Sequence, residues 1–92
     1  MKLIRVERSI EIYNRNEELI SEISVDLIPF DELKEIVPPN EDDPLLYDGY
    51  VLDISQLSML NNYLSEIIKA DFTLYSYVLT CGGIYDWEAT EL

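Results

Sequence analysis

Residues 2–27, KLIRVERSIEIYNRNEELISEISVDL, decide the fold. Apolar and polar residues alternate in two runs, and a period of two is the pattern of a strand with one covered face. In the first run Ile4, Val6, Ile10 and Ile12 share a face, with Arg5, Glu7, Ser9 and Glu11 on the other. Arg8 breaks the apolar face, which points to an edge, a bulge or an inward charge seeking an acid. Asn14, Arg15 and Asn16 form the turn, since Asn tolerates left-handed backbone angles. From Glu18 to Leu27 the alternation resumes, with Leu19, Ile23, Val25 and Leu27 set against Glu18, Glu22 and Asp26. Two such runs around a short polar turn predict an N-terminal β-hairpin.

The rest of the chain supplies two helices and further strands. Phe30 to Val37 predicts a short helix after Pro29, with Asp31 and Glu32 at its positive end and Pro38-Pro39 stopping it. PPNEDDP (38–44) reads as an exposed acidic loop, and Leu45 to Leu52 as a third strand in which Gly49 permits a bulge. Ile54 to Ile68 predicts the long helix. Asp53 is its N-cap with Gln56 in capping-box spacing, and Leu57, Leu60, Leu64, Ile67 and Ile68 form its apolar stripe. FTLYSYVLTC (72–81) carries no charge and predicts a central strand, with Gly82-Gly83 as a turn after it. Ile84, Tyr85 and Trp87 then form a short edge strand or an ordered tail. The expected order is β-β-α-β-α-β, a single α+β domain over residues 1–92 with a mostly antiparallel sheet and both helices on one face. The long helix leaves one parallel crossover open as an alternative to the all-antiparallel arrangement.

Charge narrows the function. Nineteen carboxylates face six Lys and Arg, a net charge of −13, with no His. From Glu17 onward seventeen acids face only Lys34 and Lys69. A field of that size repels nucleic acid and anionic membranes, and draws in basic surfaces. The chain is 48% hydrophobic with seven Tyr, a composition that folds rather than staying disordered. The first residues lack the unbroken apolar core of a signal peptide, and no stretch approaches the roughly 18 apolar residues of a membrane span. The expectation is a cytoplasmic protein, monomeric or weakly dimeric when free.

Little here points to catalysis. Without His, the usual base near neutral pH and the commonest transition-metal ligand are both missing. Cys81 has no activating partner and ends an apolar strand, as a structural thiol does. Glu41, Asp42, Asp43 and Asp48 are oxygen donors, yet lack the spacing of a calcium loop. The expectation is no enzyme, no cofactor and no metal. The acids gain interest from their neighbours. Tyr47 sits beside Asp48, and Tyr85 and Trp87 bracket Asp86 ahead of Glu88. Aromatic anchors among carboxylates suit a Lys- or Arg-rich partner. Glu41, Asp42, Asp43, Tyr47, Asp48, Tyr85, Asp86, Trp87 and Glu88 are therefore the candidate partner-binding residues, with the polar helix side around Asn61, Asn62 and Glu66 next.

DPLLYDGYVLD (43–53), a helix, and then FTLYSYVLTC (72–81) resemble small acidic bacterial proteins encoded beside polymorphic toxins. Some of these resemble immunity proteins of contact-dependent growth inhibition systems. The resemblance implies a protein that binds and neutralises one cognate toxin domain, often a basic nuclease whose active site it covers. It assigns no role residue by residue. Two other classes compete with that reading. One is a nucleic-acid mimic that inhibits a DNA- or RNA-binding protein, which needs carboxylates spaced like phosphates. The other is an assembly subunit whose exposed strand pairs with another chain.

Overall fold

A computed structural model describes residues 2–86, with side chains over 5–83. The order is β1 (Lys2–Tyr13), β2 (Leu19–Ser24), α1 (Phe30–Ile36), β3 (Tyr50–Val51), α2 (Ile54–Asn61) and β4 (Ser76–Asp86). The sheet runs β2-β1-β4-β3 and every pairing is antiparallel, so the parallel crossover does not occur. The fold is α+β with the predicted element order.

Alternation decides which face is covered. Ile10 and Ile12 of β1 lie opposite Leu79 and Tyr77 of β4, and all four are buried. They join Leu33 and Ile36 of α1, Leu57 and Leu60 of α2, and Leu46 and Leu52 in one core. Burying each such side chain contributes roughly 1.5–3 kcal/mol. The edge of the Phe72 ring meets the Tyr77 ring, with centroids 5.1 Å apart.

Five departures from the sequence reading have local causes. First, α2 stops at Asn61 instead of reaching Ile68. The Asn61 side chain accepts from the Ile68 amide at 2.9 Å and donates to the Ile68 carbonyl at 3.0 Å, holding a non-helical segment. Ile68 is thereby buried, Leu64 packs at the core margin, and Ile67 is left 70% exposed. The capping box at Asp53 and Gln56 forms as expected.

Second, β3 shrinks to two residues. The amides of Leu46, Tyr47 and Asp48 all donate to Asp43, through its carbonyl and carboxylate, and so are lost to a ladder. Third, β4 begins at Ser76, not Phe72. Asp71 accepts from Thr73 and Leu74 in a turn, and Arg15 holds the Phe72 and Thr73 carbonyls. Fourth, Gly82-Gly83 is no turn. Neither glycine has positive φ, and both pair with β1, opposite Glu7 and Val6. Leu27 also differs, being 93% exposed because the chain turns at Val25–Ile28.

The strands differ in length, and this shapes the molecule. β2 pairs with β1 only over residues 9–13, and β3 pairs with β4 only at Val78 and Leu79. Beyond them β1 and β4 continue as a two-stranded ribbon, with Arg8 opposite Cys81 and Lys2 opposite Asp86.

Candidate interaction surface

The acidic loop is built around its one buried member. Asp43 is only 6% exposed. Its Oδ1 accepts from the Tyr47 amide at 2.9 Å, and its Oδ2 from the Asp48 amide at 2.9 Å and the Tyr50 hydroxyl at 2.7 Å. Burial pushes this carboxyl up. The Tyr50 hydroxyl, the two amides and the charge of Arg8 outweigh it, so the group ends below its ordinary value. Burial and the facing Asp43 carboxylate raise the Tyr50 hydroxyl, against a donated bond from the Asn40 amide. Asp43 is thus the loop's internal hub, not a surface contact. Glu41, Asp42, Tyr47 and Asp48 are exposed around it.

Only the first part of the predicted tail lies among the described residues. Tyr85 and Asp86 belong to β4 and pair with Leu3 and Lys2, at the far end of the ribbon. Asp86 lies five positions beyond Cys81, about 17 Å of strand. Trp87 and Glu88 lie outside the described residues. The helix side held in reserve also changes meaning, because Asn61 is taken up in clamping Ile68.

A different acidic surface emerges on the sheet face opposite the helices. Glu7, Ser9 and Glu11 of β1 share it with Glu22 and Ser24 of β2 and Thr80 of β4, and Asp26 stands at its border. They line a depression of about 440 Å³ whose floor is open at Gly82 and Gly83. A Cβ on Gly82 would meet nothing within 4 Å, so packing does not demand the glycine. Glu11 lies directly opposite Glu22. Like charges so placed are destabilising. The Tyr13 hydroxyl donates to Glu11 at 2.6 Å, and this bond, with burial, holds the hydroxyl above its usual value.

Among the described side chains, only Glu7 of this face meets a basic residue. Only two ion pairs occur among the described residues, Arg5–Glu7 and Lys34–Asp31. Arg8 turns inward. It donates from Nη2 to the Leu45 carbonyl at 2.6 Å and stacks on Phe30, 4.6 Å from the ring centroid. Cys81 faces Arg8 from β4, and burial pushes its thiol up despite that charge. Among the described residues no group of three or more Asp, Glu or Cys is placed to hold a metal ion, and no helix is long and apolar enough to cross a membrane.

A family model matches residues 7–80, from within β1 to within β4. The chain belongs to DUF7683, a domain of unknown function. No curated protein and no solved structure matches the chain. The DUF7683 match takes in the four-stranded body and the acidic sheet face, and it leaves out the outer part of the ribbon. The acids on this face were legible as the polar sides of two alternating runs. Sequence alone does not register the runs, so the pairing of Glu11 with Glu22 was the signal missed.

Proposed function

We propose that this protein is an inhibitor of the immunity type, binding and neutralising a basic toxin domain, most simply a nuclease. The observation that carries the reading is the sheet face that no described helix covers, where Glu7, Glu11, Glu22 and Asp26 gather around an open depression. Holding Glu11 against Glu22 costs stability in the free protein. Lys or Arg side chains from a partner would relieve that repulsion on binding, and the −13 field speeds the encounter. Exposed Glu41, Asp42, Tyr47 and Asp48 extend the same chemistry along a loop. Inhibition follows if the covered basic surface is the one that grips the toxin's polyanionic substrate.

Mimicry of nucleic acid is the competing reading. It needs carboxylates in a long row, whereas these four come from two neighbouring strands and the turn after the second, as a patch. The patch favours a protein surface with clustered cations.

Affinity capture from the native host, followed by assay of the retained protein, tests the proposal. A basic toxin domain is expected, silenced in an equimolar mixture and released by Glu11→Lys with Glu22→Lys. A captured partner that keeps full activity in the complex would refute the inhibitor reading.

A further inference from the structure

Where β2 ends, β1 does not. Arg8 closes the β1–β2 ladder, its carbonyl accepting from the Val25 amide at 2.9 Å and its amide donating to Asp26 Oδ1 at 2.8 Å. Strand alternation then turns the N–H and C=O of Val6 to the same edge, where they meet no backbone partner among the described residues. The chain that would have paired there has turned away at Val25–Ile28. Beside this edge lies a cleft of about 350 Å³, its apolar wall made by Val6, Val25, Ile28, Phe30 and Leu33. Arg8 reaches into the same place, and its Nε–H is buried without an acceptor. An open backbone edge, an apolar pocket and an orphaned donor thus coincide.

We propose that the β1 edge at Val6 takes an extended segment of the partner as an added strand in line with β2. The segment would place an apolar side chain in the cleft and a main-chain carbonyl at Arg8 Nε. Strand addition draws affinity from backbone bonds and specificity from pockets for alternate side chains. The outer edge of β2 is also unpaired among the described residues, and a cleft of about 280 Å³ touches it at Ile23 and Ser24, but no buried donor is orphaned there. Charge selects the occupant. Glu7 and Asp26 line the cleft together with Arg5 and Arg8, so the selecting charge is that of the whole chain: at −13 it repels a second copy and draws in a Lys- or Arg-flanked segment. The inference concerns how the partner proposed above is held, and it rests on that reading for the partner's charge.

A short synthetic peptide alternating Lys and Val is the probe, titrated into the folded chain while amide and arginine Nε–H NMR signals are followed. The Val6 amide and Arg8 Nε–H should shift. A central Gly in place of Val should weaken binding about tenfold, the worth of one buried aliphatic side chain. N-methylation of alternate peptide residues should abolish binding. Shifts confined to Ser9, Glu11, Ser24 and Thr80 would overturn the edge and leave the charge reading standing. Equal binding by a peptide with Ser in place of Lys, at Val6 and Arg8, would uphold the edge and remove the basic-partner reading. No binding by any peptide, or concentration-dependent self-pairing at Val6, would overturn the inference.

Discussion

Glu11 and Glu22 stand directly opposite each other on β1 and β2, on the sheet face that no described helix covers. Their backbones are tied by the ladder and cannot drift apart. Neither enters an ion pair among the described residues, and the one neighbour that reaches Glu11 is the neutral Tyr13 hydroxyl. The fold therefore holds a repulsion within this acidic face, and stability and binding should respond to it in opposite directions.

Glu22→Lys tests that opposition. Replacing the repulsive pair by an attractive one should raise stability by about 0.2–1 kcal/mol, measured from the urea midpoint. The same variant should bind a basic partner more weakly, with a smaller salt dependence of association. A variant that is no more stable, yet binds unchanged, would remove the face from the mechanism.

Asp43 gives a pH signature. Its carboxyl lies below the ordinary value when folded, so on acidification the unfolded chain takes up the proton first. The stabilisation is fully present above about pH 4 and is lost as pH falls through the lowered folded value. Asp71, lowered chiefly by the Thr73 hydroxyl, adds a loss of the same sign. Asp43→Asn should lower the urea midpoint at neutral pH and flatten the acid limb without abolishing it. Exposed Asp42→Asn should do neither. Equal effects of the two variants would mean that the loop is not organised on Asp43.

Leu60 and Ile67 separate what the sequence told from what it hid. Both fall on the apolar stripe of a helix read over 54–68, yet Leu60 is 0% exposed and Ile67 70%. Leu60→Ala should cost about 2–5 kcal/mol, and Ile67→Ala close to nothing. Chemical denaturation of the two variants side by side checks the contrast.

The stripe was legible because helical period and the Asp53–Gln56 box are local signals. The stop at Asn61 was not, because it depends on one amide side chain reaching Ile68. The same holds elsewhere. Alternation marked both hairpin strands and left Arg8 as an edge, a bulge or an inward charge; the fold turns it inward, against Phe30 and near Asp43. Asp43 looked like one more loop acid because burial is a tertiary property. Gly82-Gly83 looked like a turn because glycine permits one, although pairing with β1 extends it. Local pattern carried the elements. Long-range contacts set their ends and assembled the acidic face.

Gly82 offers the sharpest separation of folding from binding. It lies in β4 opposite Glu7, its φ is not positive, and a Cβ there meets nothing within 4 Å. Glycine inside a strand costs about 0.5–1 kcal/mol relative to alanine, and β-branched residues suit a pleated surface. Gly82→Thr should therefore raise stability by about that amount and leave the fold unchanged. Its side chain would rise from the floor of the depression bordered by Glu7, Glu11 and Glu22. Binding of a basic partner on that face should weaken through faster dissociation, with the charge-driven association rate preserved, because no charge has changed. Thermal melts and surface plasmon resonance on the same preparation measure both. A stabilised variant with an unaltered dissociation rate would show that the partner touches the charges at the rim and never enters the depression.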